Sequence, residues 1–230
     1  RGVLAALRGQ NEVAIEALSA AASDIRINRT LRRDAWISLA GVYGRQGAYA
    51  DALRTLLFAE TTAPARDEEA ARDAVQTLRF MRVVQNEEAM RRAGTRLGRV
   101  AIEYDMASLP RAHVTINNRE QVAVLDTGAN FSTVTESTAR RMRLRMLPGE
   151  IGVGASGNDD VAGRIGVAEL VQVGYTQFRN VVFIVLPDSA LSFADGRYNI
   201  PAIIGFPVLS RLGRVEFSGD QLRFSPSAAS

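Results

Sequence analysis

The 230-residue chain has no cysteine and no lysine, one histidine and one tryptophan. Without cysteine it can form no disulfide and carries no thiol chemistry. That fits a cytosolic protein, and equally a secreted one that needs no cross-links. One histidine and no thiol cannot assemble a tetrahedral zinc set, and no metal is expected. The histidine, His113, is also the only base a Ser-His-Asp triad could use. It precedes a strand-like run, and no Gly-x-Ser-x-Gly motif occurs, so it reads as a surface or core-edge residue. No stretch approaches about 18 consecutive apolar residues, so no transmembrane helix is expected.

All 28 basic residues are arginine, against 25 acidic ones, for a net charge of +3 and a pI near 9.8. No basic cluster carries interleaved aromatics, so nucleic acid is not an expected partner. The charge is uneven, with 16 arginines and 12 acidic residues in 1–99 and 12 arginines and 13 acidic residues in 100–230. The chain begins with Arg1 rather than methionine, as expected of a processed or trimmed product.

The first hundred residues are rich in Ala, Leu, Arg and Glu, with Pro64 their only proline, a composition that favours helices. Apolar spacing predicts helices over about 10–22, 31–45 and 48–60, with Gly47 punctuating the last two. Pro64 is expected to open a long fourth helix, with Asp67, Glu68 and Glu69 in its first turns. A fifth is expected from Asn86, ending near Gly94 or Gly98.

From Val100 the period changes to two: Val100, Ile102 and Tyr104 alternate with polar or small residues. A hairpin is expected from Val114–Ile116 through Asn117-Asn118 to Gln121–Leu125. It leads into Val124-Leu125-Asp126-Thr127-Gly128-Ala129, which sets one carboxylate on a tight turn at the end of a buried strand. A short helix is expected over Thr135–Met142, capped by Thr135. Residues 149–163 hold five glycines and read as a mobile loop or hairpin. They do not form a phosphate-binding loop, since no Lys-Ser or Lys-Thr follows. Asp159-Asp160 lacks calcium-ligand spacing. Strands are expected over Arg164–Val173 and Phe178–Leu186, then a polar loop over 188–201 containing Asp195. Ala202–Gly205 reads as an apolar strand end and Phe206–Leu209 as a short helix. Arg214–Phe217 and Gln221–Phe224 read as a hairpin around Gly219, and the tail to Ser230 as loose. Glu150 and Glu169 show no spacing that calls for glycosidase-like pairing with Asp126.

Two resemblances follow. Residues 33–66 resemble one tetratricopeptide repeat, through Trp36, Leu39, Ala40, Tyr43, Gly47, Tyr49, Ala52, Ala59 and Pro64, with a degenerate partner before it. Residues 100–226 resemble the retroviral-type (retropepsin-like) bacterial aspartic proteases. The resemblance rests on Leu125-Asp126-Thr127-Gly128-Ala129, on the Gly-rich segment 149–163, and on Ile203-Ile204-Gly205. The expected fold class is multidomain α + β. A helical, tetratricopeptide-like domain over 1–98 precedes an all-β, single-lobe aspartic protease barrel over 99–226, with a flexible tail at 227–230.

The second resemblance implies an aspartic endopeptidase. It assigns Asp126, Thr127 and Gly128 to catalysis, and Ala129, Ile151, Gly152, Val153, Gly154 and Val161 to substrate binding. It makes Ile203, Ile204 and Gly205 structural support. It implies no cofactor, a polypeptide substrate, and an envelope or periplasmic setting. The chain has one Asp-Thr-Gly, and Asp188, Asp195 and Asp220 are not followed by Thr-Gly or Ser-Gly. The second carboxylate is therefore expected from another copy, in a homodimer with the site on its two-fold axis. Thr127 is then expected to bridge the two loops, and the 149–163 flap to cover the substrate. Pro207 departs from the family pattern, with an effect expected only at the start of the short helix. The alternative reading is an inactive protease-like domain in a peptide-binding or scaffold protein, with the helical half binding a protein partner.

Overall fold

A computed structural model describes residues 1–94, 98–154, 160–193 and 196–225. The chain divides into two compact units, one over residues 1–89 and one beginning at Met90.

The first unit is helical: α1 (Gly2–Leu7), α2 (Asn11–Ser23), α3 (Arg29–Gln46), α4 (Tyr49–Thr62) and α5 (Glu68–Val84). Asn28 caps α3 by accepting the Thr30 N–H, and Gly47 ends it in the left-handed conformation at φ 78°. Ala40, Ala52 and Ala59 are buried, and their small side chains let α3 and α4 pack closely. Trp36 stacks on Phe58 at 5.4 Å between ring centroids, and buried Arg33 pairs with Glu60 at 2.8 Å. Two expectations fail here. The fourth predicted helix does not open at Pro64, because the Asp67 carboxylate accepts the Ala70 N–H and fixes the start at Glu68. No helix runs from Asn86 to Gly94, since Arg91–Gly94 is a strand.

The second unit contains β1 (Arg91–Gly94), β2 (Gly98–Ala101), β3 (Glu103–Tyr104), β4 (Pro110–Ile116), β5 (Arg119–Asp126) and β6 (Ser132–Thr135). Next come α6 (Glu136–Arg141), β7 (Arg145–Met146), β8 (Ile151–Gly154), β9 (Asp160–Val173) and β10 (Thr176–Leu186). Then follow β11 (Ser192–Phe193), β12 (Tyr198–Asn199), β13 (Ala202–Gly205), α7 (Phe206–Leu209), β14 (Arg214–Ser218) and β15 (Gln221–Ser225). The pairings β4–β5–β13–β6–β10–β9 return to β4, closing a six-stranded barrel. Closure removes free edges from these six strands.

The turns follow local chemistry. Asn117 and Asn118 take positive φ between β4 and β5, as a two-residue hairpin with the right twist requires. Gly174, at φ 58°, turns β9 into β10. Thr135 caps α6, as its sequence position predicts. Leu125, Val134, Phe183 and Ile204 are among the residues that fill the barrel. Separately, β14, β15 and β2 form a three-stranded sheet. Within the expected loop, Asp188–Leu191 is a 3-10 turn, and β11 pairs with β12. The expected flexible tail at 227–230 lies outside the described residues, as does Asp195.

Candidate active site

Strand alternation decides where Asp126 faces. Along β5, Ala123 and Leu125 belong to the barrel core, so Val122, Val124 and Asp126 share the opposite face. Asp126 ends the strand half-buried, and Thr127 and Gly128 are exposed after it. The Gly128 N–H donates to Asp126 Oδ1 at 2.8 Å, which holds the carboxylate over its own turn.

A second strand grips this loop from behind. β13 runs parallel to β5, with Ile203 beside Val124, Ile204 beside Leu125 and Gly205 beside Asp126. A Cβ on Gly205 would lie 2.6 Å from the Phe131 carbonyl oxygen and 2.9 Å from that of Ala129, so only glycine fits. The Gly205 N–H donates to Ser132 Oγ at 3.1 Å, and the Phe206 N–H to the Ala129 carbonyl at 2.9 Å. Residues 126–129 and 203–205 are thus joined in one assembly, although 74 positions separate Ala129 from Ile203 in the sequence. Pro207 sits within the first turn of α7, where its missing N–H costs no helical bond.

The Gly-rich segment forms the base of a hairpin. Ile151 pairs with Gly163, Gly152 with Ala162, and Val153 with Val161. Ile151 is buried at 4 %, whereas Gly152, Val153 and Val161 keep partial exposure. Gly154 ends β8, and the tip of the segment, 155–159, lies outside the described residues.

One cluster on the Asp126 face has no sequence signal. Asp105 Oδ1 accepts the N–H groups of Ala107 and Leu109, at 2.9 and 3.0 Å. Its Oδ2 accepts Arg111 Nε at 2.5 Å and the Tyr198 hydroxyl at 2.7 Å. Burial opposes ionisation of Asp105. The hydrogen bonds from Tyr198, Arg111, Leu109 and Ala107 outweigh it and hold the carboxyl well below the usual range. Burial raises the Tyr198 phenol, as does its bond to Asp105.

Among the described residues no group of His, Asp and Glu gathers as a metal site. No helix among them is long and apolar enough to cross a membrane.

Residues 112–208 match the family model described as aspartyl protease. The matched segment runs from β4 to α7 and contains both Asp126 and Gly205. Residues 112–208 therefore have distant homology to aspartic proteases. A search of curated proteins found no match. Many solved structures are similar, three of them as follows. A retropepsin-like aspartic protease from Rickettsia conorii is 17 % identical, covering 60 % of this chain and 95 % of its own, with a TM-score of 0.40. The EIAV protease in complex with the inhibitor HBY-793 is 19 % identical, covering 48 % and 93 %, with a TM-score of 0.33. The retroviral protease-like domain of Ddi1 from Leishmania major is 23 % identical, covering 45 % and 74 %, with a TM-score of 0.27.

Proposed function

We propose that the second unit is an aspartic endopeptidase whose active site forms when two copies meet, each supplying Asp126. The observation that carries this reading is the Asp126–Gly205 assembly inside the segment that matches the aspartyl protease family. It presents one carboxylate on a braced turn, with its hydrogen-bonding edge fixed by a backbone N–H.

One carboxylate cannot act as both general base and general acid in the same step. Two brought together share a proton, because like charges a few ångströms apart resist joint ionisation. The ionised partner takes a proton from water, which attacks the peptide carbonyl. The protonated partner donates to the carbonyl oxygen, and the departing amine is protonated as the C–N bond breaks. Thr127 is exposed beside Asp126, and in this reading it bridges the two loops across the two-fold axis. Ala129, Gly152, Val153, Gly154 and Val161 contact an extended peptide, while Ile151 anchors the flap from its buried position. Ile203, Ile204 and Gly205 brace the catalytic turn.

The experiment is hydrolysis of an unfolded protein in mild acid, between about pH 4 and 6. It is paired with sedimentation analysis of the native chain and of Asp126→Asn. Cleavage by a dimer, lost in Asp126→Asn with the dimer intact, is the expected result. A strictly monomeric chain that still cuts would sink the shared-dyad mechanism.

A second reading has an observation of its own. On the helical unit, Ala50, Leu53, Arg54, Leu57, Phe58 and Thr61 line a depression of about 400 Å³, with Leu57 and Phe58 exposed. The α3–α4 hairpin and its buried alanines support a tetratricopeptide-like module that takes an apolar peptide segment. In that reading the chain is a scaffold and its protease-like unit does not cut. Absence of cleavage under every condition, with the dimer intact, favours it. An exported or envelope setting is part of the proposal and is tested by cell fractionation.

A further inference from the structure

Arg111 and Ile203 are the strand partners of Val124, one on each side of it. Directly paired residues share a face of the sheet. Val124 in turn shares its face with Asp126, two residues further along β5 and so about 7 Å away. The row Arg111–Val124–Ile203 therefore borders Asp126 on its own face. Val124 points away from the barrel core and is nevertheless only 2 % exposed, so side chains on this outer face cover it.

Asp105 anchors the side chain of Arg111, one member of this row. Its carboxylate joins the 105–109 turn to Arg111 on β4 and to Tyr198 on β12. Arg111 reaches on to the Asn199 carbonyl at 3.2 Å, and its guanidinium lies 5.2 Å from the centre of the Tyr198 ring. Every strong group in the cluster thus has a partner: the Asp105 charge meets Arg111, and the Tyr198 hydroxyl meets Asp105. The Tyr198 ring, the Arg111 stem and Ile203 are each half-buried and offer apolar surface. The 192–199 segment leads through Ile200 and Pro201 straight into β13, the strand that braces the Asp126 turn.

We propose that Asp105 is a positioning residue: through Arg111 and Tyr198 it fixes the wall of a subsite beside Asp126 that takes an uncharged, apolar side chain of the polypeptide substrate. Half-buried Ile203 forms the floor of this subsite, and buried Val124 packs beneath it. The proposal rests on the endopeptidase reading for its substrate, but the clamp itself is a property of the fold. Asp105→Asn keeps an oxygen for the Ala107 and Leu109 amides and removes the charge that holds Arg111. Tyr198→Phe keeps the ring and removes only its tether.

The test is steady-state hydrolysis of a quenched fluorescent peptide library varied next to the scissile bond, by the full chain, Asp105→Asn and Tyr198→Phe. It is combined with hydrogen exchange at the amides of Tyr198, Asn199 and Ile200. A hydrogen bond to a charged group contributes enough that KM is expected to rise about tenfold in Asp105→Asn, with a much smaller fall in kcat. The preference for apolar residues at the varied position should flatten in both variants, and the three amides should exchange faster. Unchanged KM and preference in both variants overturn the proposal. So does a loss of rate that only follows the loss of folded protein, since that assigns the cluster to stability alone. A native chain that cuts nothing removes the endopeptidase reading and leaves exchange to decide the clamp. Equal exchange in native chain and variants then overturns the clamp as well.

Discussion

Gly205 stands level with Asp126 on a parallel neighbouring strand, and it has room there only because it has no side chain. The carbonyl oxygens of Phe131 and Ala129 approach the place a Cβ would occupy to 2.6 and 2.9 Å. Both belong to the loop that carries the carboxylate, so this close backbone approach lies directly behind the proposed catalytic group.

Gly205→Ala is therefore expected to push β13 away from the 127–131 loop. Backbone, not a flexible side-chain end, meets the added carbon, so relaxation is costly. Overpacking of this kind costs about 1–3 kcal/mol, read as a lower denaturation midpoint. Cleavage should fall further than the folded fraction does, because the displaced loop carries Asp126. A variant with the native midpoint and native activity would show that this close approach is not required.

Much of this site was legible in the sequence because its signals are local. Apolar Val124 and Leu125 before Asp126 marked the end of a buried strand, and glycine after Asp126-Thr127 marked a tight turn. Ala202–Gly205 read as an apolar strand end from its composition alone. Its parallel register on β5 is a tertiary fact, and the family resemblance implied only that Ile203, Ile204 and Gly205 give structural support. Other features were not legible. Arg91–Gly94 has helix-compatible residues, yet it pairs with Thr176–Arg179 of β10, and that partner lies far along the chain. Pro64 was a fair helix opener, but the Asp67 side chain competes for the same role and wins through a hydrogen bond to Ala70. Asp105 and Tyr198 stand 93 positions apart, and nothing near either residue announces the other.

Gly128→Ala is expected to separate activity from stability. Its Cβ would lie 3.2 Å from Asp126 Oδ1, and the residue is exposed, outside the left-handed region. The backbone accepts alanine without strain, so stability should change by about 0.5 kcal/mol or less. The carboxylate must move by a few tenths of an ångström, against its hydrogen bond to the Gly128 amide. Because small misplacements at a reacting group are amplified, kcat should fall by about tenfold or more. Thermal unfolding and single-turnover cleavage read the two effects separately.

Leu125 and Ile204 lie side by side on β5 and β13, both inside the barrel and both essentially unexposed. Either one cut to alanine leaves a cavity and should cost about 2–5 kcal/mol. The two share that cavity, so the double variant should lose less than the sum of the single losses. Urea midpoints of the four proteins test this. Strict additivity would mean that the two strands relax independently, contrary to the continuous pairing observed.

The Asp105 cluster should make stability depend on pH with a definite sign. The folded-state carboxyl titrates below its ordinary value of 3.8, since the bonds from Tyr198, Arg111, Leu109 and Ala107 outweigh the effect of burial. A group with a depressed folded pKa binds its proton more readily when unfolded. Its stabilising contribution is therefore complete above pH 3.8 and is lost as pH falls toward the lower, folded value. Across the range of pH 4 to 6 used for cleavage the clamp stays ionised and closed. Asp105→Asn cannot ionise, so its melting temperature should lie below the native one at pH 6, with the gap narrowing as the pH drops below 3.8. Thermal melts of both proteins from pH 6 to 2.5 measure it. A gap that stays constant, or widens in acid, would mean that the Asp105 charge contributes nothing to holding β4 and β12 together.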